Sequence, residues 1–212
     1  ADIQDATKVA AACQGVDAVI HTAAREGIEP FRKPFYQTNV VGTLNVLEGC
    51  RAAGVSRLVA TSSPSVIDAG KSIEGVDETY PYPKKHLSCY AASKRIAEEM
   101  VLKANSPDLM TCAIRPRLIW GPGDLQLIPR VIARAKKGKL RQIGDGTNMI
   151  DFTYIENAVD AHLLALDALR PGSPVPGSAY FISQGEPVNC WDWLNRVLEM
   201  VGLPPVKKRL SF

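Results

Sequence analysis

Short, mostly apolar runs alternate along this chain with longer helix-like segments, and this alternation restricts the fold more than any other sequence feature. The apolar runs lie at 17–21, 57–62 and 111–114. Runs of this kind are typical of strands buried on both faces of a parallel sheet. Between them, 36–53 has apolar residues at three- and four-residue steps and stops at Gly54, as a glycine-capped helix does, and 90–104 is rich in helix-forming residues. Connections of this length predict an α/β fold with a doubly wound parallel sheet.

From residue 125 onward the pattern becomes irregular. Helices are predicted at 128–137, 155–169 and 191–201, short strands at 140–143, 149–153 and 179–183, and a loop at 170–177, which holds three prolines and two glycines. We therefore predict two domains. The first, residues 1–124, contains the sheet, and the second, residues 125–212, is a smaller α+β subdomain from which some segments return to the sheet.

Composition and charge exclude several classes of protein. With 46% hydrophobic and 22% charged residues over 212 positions, the chain can bury a core and is not a disordered protein. A net charge of +3, with short basic clusters at 136–137 and 207–209, does not indicate a nucleic-acid partner. No apolar run reaches the ~18 residues that a membrane span needs. The five cysteines are scattered, so we expect reduced thiols, a cytoplasmic location and no metal site.

Tyr90 and Lys94 are the most informative pair of side chains. They stand four positions apart at the start of a predicted helix, and this spacing places both on one helical face. A neighbouring ammonium stabilises a phenolate, so Lys94 is predicted to lower the pKa of Tyr90 from about 10 toward neutrality. Such a tyrosine is a general acid or base for a hydroxyl or carbonyl group. On its own, the spacing also fits a solvated helix face.

Three consecutive hydroxyl residues, Thr61, Ser62 and Ser63, lie at the end of the predicted strand 57–62, and Ser63 is 27 positions before Tyr90. Ligands of open α/β sheets bind at the carboxyl ends of the strands, so these hydroxyls are predicted to face a site. A strand-end cap would explain the same residues. In combination with the tyrosine and lysine, however, Ser63 indicates a group of three catalytic side chains.

Ser63, Tyr90 and Lys94 resemble the catalytic residues of the extended short-chain dehydrogenase/reductases, a family with a Rossmann-like fold. Five more segments are similar to motifs of that family, in the same order. They are the acidic adenine-contacting motif at 2–5, the small-residue strand end at 21–24, the helix with an active-site asparagine at 39–43, the segment beneath the nicotinamide at 115–124 and a later acidic segment at 151–157.

Within that family, the chain is similar to the 3β-hydroxysteroid dehydrogenase/isomerase branch. At 63–66 and 117–124 it resembles the sterol-4α-carboxylate 3-dehydrogenases and, more closely, the bacterial 2-alkyl-3-oxoalkanoate reductases of olefin biosynthesis. Both types act on 3-hydroxy or 3-oxo acids with a branched, hydrophobic α-carbon. The resemblance therefore implies an NAD(P)-dependent oxidoreductase that interconverts these two groups on such an acid or on a 3β-hydroxysteroid.

The resemblance also implies roles for the matching residues. Tyr90 would be the acid/base, Lys94 would lower its pKa and bind the nicotinamide ribose, and Ser63 would hold the substrate oxygen. The implied cofactor is NAD or NADP, bound mainly by residues 1–124. Its predicted contacts are Asp2, Ile3, Thr22, Ala23, Ala24, Asn39, Thr61, Ser62, Tyr90, Lys94, Pro116 and Ile119.

Substrate contacts are predicted at Ser65 and Arg117, and residues 125–212 would mainly bind substrate. Arg117 could pair with a substrate carboxylate, although a structural ion pair with Asp124 or Asp151 explains it equally well. The partners implied are a small hydrophobic acid or a sterol-like substrate, and the family leads us to expect a homodimer.

One family motif does not occur in this chain. The family begins with a strand and a Gly-x-x-Gly-x-x-Gly turn that binds the pyrophosphate at a helix N-terminus. The sequence has no such turn and starts where the family's third strand has just ended. We therefore expect a fragment of a longer protein. A chain that truly began at residue 1 would be expected to bind a dinucleotide weakly.

Two other functions fit the same motifs. A nucleotide-sugar epimerase or reductase of the same superfamily is the competing enzyme, but the chain offers an apolar segment around 118–128 rather than an evident diphosphate clamp. A non-catalytic dinucleotide-binding regulator would keep the fold without the chemistry. The complete set of Ser63, Tyr90 and Lys94 favours an enzyme over a regulator.

Overall fold

The computed structural model describes residues 2–27 and 29–211. Its α-helices are α1 (Ala6–Ala12), α2 (Arg32–Phe35), α3 (Gly42–Ala53), α4 (Cys89–Lys103), α5 (Leu127–Lys136), α6 (Ile155–Ala168) and α7 (Cys190–Met200). A π-helix spans Tyr36–Val41 and a 3-10 helix spans Pro64–Ile67. The strands are β1 (Val19–His21), β2 (Arg57–Thr61), β3 (Met110–Pro116), β4 (Ile119–Trp120), β5 (Gln142–Ile143), β6 (Met149–Ile150), β7 (Thr153–Tyr154), β8 (Ala179–Ile182), β9 (Val188–Asn189) and β10 (Arg209–Leu210).

A four-stranded parallel sheet in the order β1-β2-β3-β8 forms the centre of the first compact unit. This unit comprises the described residues up to Pro116 together with Val159–Ile182. The register brings Ala60 opposite His21 and Ala113, so the carboxyl ends of β1, β2 and β3 lie side by side. The parallel α/β architecture predicted from the sequence is confirmed.

Helices cover both faces of this sheet, as the doubly wound pattern requires. On one face, buried residues of α1, α3 and α4 pack with Leu58 and Ala60 of β2. On the other face, Val59, Cys112 and Ile114 pack with Leu169 and with the apolar side of α6. Neighbouring residues of a strand point to opposite faces, which is why the three central residues of β2, Leu58, Val59 and Ala60, are all apolar.

Local sequence explains where α3 and α4 begin and end. The Ser88 side chain accepts a hydrogen bond from the Ala91 N–H (3.1 Å) and so caps the N-terminus of α4. The C-cap of α3 is Gly54, with φ of +71°, as predicted. The predicted helix over 36–53, however, begins with a π-helical turn, and α1, capped by Asp5, was not predicted from the sequence.

The second compact unit comprises Arg117–Ala158 and the described residues from Ser183 onward. Its strands form three two-stranded pairs, β4 with β7 and β5 with β10 in parallel and β6 with β9 antiparallel. Trp193 stacks on Phe152 with ring centroids 4.0 Å apart and meets Trp120 edge-on at 5.3 Å. These aromatic contacts supply much of the unit's apolar packing. The functional boundary at residue 124 stays a prediction.

Two kinds of feature are absent from the described chain. Throughout 2–27 and 29–211, no helix has both the length and the apolar character of a membrane span. In the same residues, no three His, Cys, Asp or Glu side chains are grouped so that they could hold a metal ion.

Candidate active site

The predicted catalytic residues lie on two elements of the first unit. Ser63 follows the end of β2 and is the N-cap of the 3-10 helix, whereas Tyr90 and Lys94 lie in the first turns of α4. The carboxyl end of β2 therefore brings Ser63 beside Tyr90, where the serine hydroxyl lowers the pKa of the phenol. The carboxyl end of a strand and the N-terminus of a helix thus bring together residues that are far apart in the sequence.

The hydrogen bonds that Ser63 forms with Ser65 determine what its hydroxyl can offer to Tyr90. The Ser63 hydroxyl oxygen accepts hydrogen bonds from the Ser65 hydroxyl (3.0 Å) and the Ser65 N–H (3.2 Å). Its single proton is therefore available to donate to the Tyr90 oxygen. A bond donated to the phenolate lowers the pKa of Tyr90, and that is the sign of the effect of Ser63.

Lys94 is a buried residue whose ammonium is turned toward the end of β2. Its Nζ donates a hydrogen bond to the Thr61 carbonyl oxygen at 2.7 Å. Burial lowers the pKa of Lys94 to about 8, and the carboxylate of Glu98, one helical turn further on, opposes that change. Two of the three ammonium protons remain available for other acceptors.

The expected effect of Lys94 on Tyr90 is wrong for this structure. The pKa of Tyr90 is raised, chiefly because burial disfavours the phenolate, and the nearby Glu26 carboxylate adds to this effect. The Ser63 hydroxyl opposes the rise without cancelling it. The ammonium of Lys94 is engaged by the Thr61 carbonyl. Tyr90 is therefore protonated at neutral pH.

Asn39 lies in the π-helix, is 1% exposed and joins three segments of the first unit. Its side chain accepts from the Arg25 N–H (2.7 Å) and donates to the Arg25 carbonyl (2.9 Å) and to the Ser93 hydroxyl (2.9 Å). The Ser93 hydroxyl in turn donates to the Tyr90 carbonyl at 2.8 Å. Asn39 thus ties the loop after β1 to the turn of α4 that bears Tyr90.

Two buried histidines border the same region. The Thr43 hydroxyl uses its one proton on the Asn39 carbonyl (2.7 Å), so it accepts from His21 Nε2 at 3.0 Å. Burial, with a smaller effect of the Lys94 charge, lowers the pKa of His21 to about 4, so its ring is neutral at pH 7. On the other side, His162 Nε2 is hydrogen-bonded to the Thr61 hydroxyl at 2.6 Å. Both rings contribute packing and hydrogen bonds at the edge of the site.

The other residues predicted to contact a cofactor are distributed over both units. Thr22, Ala23 and Ala24 follow β1 and are exposed, and the half-buried Ile3 fixes the start of the chain through its carbonyl, which accepts from the Asn45 amide at 2.9 Å. The remaining predicted cofactor contacts are the exposed Asp2, the half-buried Thr61, the buried Ser62 and Pro116, and Ile119 of β4 in the second unit.

Arg117 begins the second unit and is half-buried near Cys190. Burial raises the pKa of the Cys190 thiol, and the charge of Arg117 partly opposes that rise. Across the described chain Arg117 forms no salt bridge, so the ion pair with Asp124 or Asp151 weighed above is absent. The Asp124 carboxylate instead caps α5, accepting from three backbone N–H groups at 2.7–2.9 Å.

An open hollow of about 490 Å³ lies within the second unit. Aromatic and aliphatic residues dominate its lining, which consists of Trp120, Gly121, Pro122, Gly123, Asp124, Ile128, Pro129 and Tyr154. Gly121 is required here, because its φ is +140° and an added Cβ would lie 2.5 Å from Ile155. Several of these residues belong to the apolar segment that the sequence placed around 118–128.

Sequence reasoning missed a buried charge cluster directly behind the site. Arg115 of β3 donates two hydrogen bonds to Glu98 of α4, from Nε to Oε2 (2.9 Å) and from Nη2 to Oε1 (2.7 Å). The Tyr82 hydroxyl donates to the same Oε1 at 2.6 Å. The sequence signal that could have indicated this cluster was Glu98, which stands four positions after Lys94 on the same face of the helix.

The sheet, the serine at the strand end and the helix with Tyr90 and Lys94 define an α/β protein of the short-chain dehydrogenase/reductase type. The chain belongs to the 3-beta hydroxysteroid dehydrogenase/isomerase family, whose model matches residues 1–211.

Two curated relatives illustrate the similarity within this family. The chain is 49% identical over 213 residues to a 2-alkyl-3-oxoalkanoate reductase of Stenotrophomonas maltophilia, covering 100% of this chain and 64% of that protein. It is 42% identical over 190 residues to the decarboxylating sterol-4-alpha-carboxylate 3-dehydrogenase of Bos taurus, covering 88% of this chain and 53% of that one. The chain thus spans somewhat more than half the length of these relatives.

Solved structures show the same fold at lower identity. A dTDP-glucose 4,6-dehydratase of Streptomyces venezuelae, crystallised with NAD, superposes with a TM-score of 0.82 at 26% identity, over 100% of this chain and 66% of that one. A UDP-glucuronic acid 4-epimerase of Bacillus cereus, in complex with NAD, superposes with a TM-score of 0.83 at 24% identity, over 100% of this chain and 68% of that one. The second match supports the fold alone.

Proposed function

We propose that this chain carries the catalytic residues of an NAD(P)-dependent oxidoreductase that interconverts a 3-hydroxy and a 3-oxo group on a hydrophobic substrate. The main support is the arrangement at the end of β2, where the Ser63 hydroxyl is close enough to Tyr90 to lower the pKa of its phenol and the buried Lys94 lies one turn further along α4. A non-catalytic dinucleotide-binding regulator would have no need of this arrangement.

Tyr90 acts as the proton donor when the substrate is reduced. Its phenol is protonated at neutral pH, since burial raises a pKa that is already near 10, so its proton is available to the oxygen that receives negative charge. The Ser63 hydroxyl, positioned by Ser65, hydrogen-bonds the same substrate oxygen and stabilises that charge. In the oxidative direction Tyr90 accepts the hydroxyl proton instead, and because its pKa is raised, this role as a base is shifted to higher pH.

The residues of the first unit fit a nicotinamide dinucleotide. Lys94 retains two ammonium protons for ribose hydroxyls, and the exposed small residues Thr22, Ala23 and Ala24 leave space at the end of β1. The buried Ser62 hydroxyl has no hydrogen-bond partner among the described residues and is a further donor at the same strand end. When bound, the nicotinamide supplies or receives the hydride. We retain Asp2, Ile3, Asn39, Thr61, Pro116 and Ile119 as proposed contacts.

We propose an α-branched β-hydroxy or β-oxo acid, or a 3β-hydroxysteroid, as the substrate class. The relatives at 49% and 42% identity carry names of oxoalkanoate and sterol-carboxylate enzymes. The nucleotide-sugar enzymes match at 24–26% identity. In addition, among the described residues Asp124 is the only charged one that lines the hollow of the second unit, and a diphosphate requires cations.

The test is a comparison of three variants in an assay that follows the absorbance of the reduced nicotinamide. Tyr90→Phe keeps the ring and removes the proton, so kcat is expected to fall by about 10²–10⁴ with nearly unchanged cofactor affinity. Lys94→Ala is expected to lower both turnover and cofactor affinity. Tyr180→Phe is the matched control, because its hydroxyl bonds the Pro174 carbonyl (3.3 Å) before the start of β8, away from the carboxyl ends of the strands.

Two results would contradict the proposal. Activity of Tyr90→Phe within a few-fold of the unaltered protein would remove Tyr90 from the chemistry. Epimerisation of a UDP-hexose, without turnover of a branched 3-oxo acid or a 4-carboxysterol, would favour the nucleotide-sugar alternative.

Three further expectations belong to this proposal. Residues 1–124 would hold the dinucleotide, and residues 125–212 would mainly bind substrate, together with Ser65 of the first domain and Arg117 near the boundary. The homodimer and the cytoplasmic location remain predictions derived from the resemblance and the composition.

A further inference from the structure

The two basic clusters that the sequence analysis identified meet in the second unit. Strands β5 and β10 pair in parallel, with hydrogen bonds from the Gln142 N–H to the Lys208 carbonyl (2.9 Å) and from the Gly144 N–H to the Leu210 carbonyl (2.9 Å). The first cluster leads from α5 into β5, and the second leads into β10. Pairing therefore places both clusters around one small sheet, in which we define the basic patch as Lys136, Lys137, Lys139, Lys207, Lys208 and Arg209.

The charges of the basic patch are exposed and uncompensated. All six side chains are exposed, and within the described residues none of them forms a salt bridge. The segments 130–144 and 203–211 contain no Asp or Glu. The next acidic residue, Asp145, accepts bonds from the N–H (3.0 Å) and hydroxyl (2.8 Å) of Thr147. The patch therefore presents a field of one sign.

Two exposed aliphatic side chains lie on the same small sheet as these cations. Ile143 of β5 and Leu210 of β10 are partners in the register, so they stand side by side on one face of the pair. Their exposures are 52% and 53%, well above those of core residues. The segment before β10 is held in place, since the Val206 N–H donates to the Asn195 side chain at 2.9 Å. The aliphatic pair is thus presented by a fixed backbone.

We propose that the basic patch and this aliphatic pair dock the protein on an anionic lipid surface. Exposed aliphatic groups on the same small sheet as exposed Lys and Arg suit the interface of a bilayer, where the cations meet anionic headgroups and the aliphatic side chains enter the acyl boundary. A nucleic acid would use the cations but would leave Ile143 and Leu210 against a polar backbone. The patch supplies adhesion only and does not depend on the proposed reaction.

The test is co-sedimentation of the purified protein with lipid vesicles. Vesicles of phosphatidylglycerol and phosphatidylcholine in equal parts are expected to bind the protein, increasingly weakly as salt is added, and pure phosphatidylcholine is expected to bind little. The variant Lys207→Gln/Lys208→Gln/Arg209→Gln removes three charges. At about five-fold per charge, its partition coefficient should fall on the order of 100-fold.

A matched control removes the same charge elsewhere. The variant Lys71→Gln/Lys84→Gln/Lys85→Gln alters three exposed lysines of the first unit and should bind the vesicles like the unaltered protein. The variant Ile143→Ser/Leu210→Ser should bind more weakly at every salt concentration, because its loss is apolar. Lys136→Gln/Lys137→Gln/Lys139→Gln gives an independent test should the change in β10 disturb folding.

Several outcomes would overturn the proposal. One is equal binding of the unaltered protein to neutral and anionic vesicles, and another is no binding to either. A third is an equal loss of vesicle binding in Lys207→Gln/Lys208→Gln/Arg209→Gln and in the matched control. Retention by double-stranded DNA in place of vesicles would assign the patch to a nucleic acid instead.

Discussion

Replacing Glu98 by Gln tests how the buried charges behind the candidate active site contribute to stability. The Glu98 side chain is 0% exposed and that of Arg115 is 3% exposed, so water cannot solvate either charge. The carboxylate accepts two hydrogen bonds from Arg115 and one from Tyr82. Gln keeps the shape but directs an N–H₂ group toward N–H donors and leaves the guanidinium without its counter-charge.

The magnitude follows from the loss of one partner of a buried pair. Such a loss typically costs about 3–5 kcal/mol, because the remaining charge stays desolvated. In a chain of this size that is a fall in Tm on the order of 10 °C. One further Arg115 nitrogen, Nη1, is buried without a partner among the described residues, so it cannot take over the lost contacts. The measurement is urea unfolding followed by circular dichroism.

The double variant Glu98→Met/Arg115→Met is the control for this reasoning. Replacing both charges with apolar groups of similar volume removes the desolvation cost, so its stability should return to within about 1–2 kcal/mol of the unaltered protein. A loss under about 1 kcal/mol for Glu98→Gln would refute the reasoning. So would a double variant as unstable as the single one, since the damage would then come from packing rather than from the unpaired charge.

Two further predictions concern a proposed substrate-binding residue and a buried histidine. Arg117→Met should raise the Michaelis constant for a 3-oxo acid by about ten-fold or more, because a charge-assisted hydrogen bond contributes about 1.5–3 kcal/mol; equal effects on an uncharged ketone would make Arg117 a structural residue. The pKa of His21 is lowered from 6.5 to about 4, so between these values the unfolded chain binds a proton that the folded chain refuses. The free energy of unfolding should therefore fall by about 3 kcal/mol as the pH falls from 6.5 to about 4. In unfolding experiments at several pH values, His21→Gln should flatten this dependence of stability on pH. An unchanged dependence in the variant would assign the loss of stability to other groups.

The elements of the fold that the sequence predicted are those with a local signal. The strands β2 and β3 are apolar because both their faces are covered, and α4 has its own cap at Ser88. The arrangement of Ser63, Tyr90 and Lys94 was accessible for a related reason. A parallel sheet places the carboxyl ends of neighbouring strands at one edge, so a strand-end serine and a helix start can be expected to meet.

The features that the sequence did not predict depend on contacts between distant segments. Glu98 and Arg115 looked like ordinary charged residues, and only the packing of α4 on β3 buries them against each other. The raised pKa of Tyr90 is similar, since spacing suggested the effect of Lys94 but not the burial that exceeds it. The pairing of β5 with β10 involves two residues from each strand, too few for a periodic signal.

The position of Tyr90 depends on a chain of buried polar groups that reaches it through the backbone. His21 donates to Thr43, Thr43 to the carbonyl of Asn39, Asn39 to the hydroxyl of Ser93, and Ser93 to the carbonyl of Tyr90, over 2.7–3.0 Å at each step. Buried networks of this kind stabilise one arrangement because any unsatisfied member costs free energy. The π-helical turn at Tyr36–Val41 contributes both the carbonyl and the side chain of Asn39 to this chain. Because the network reaches Tyr90 only through its backbone carbonyl, the phenol takes no part in it and is available for the proposed contact with substrate.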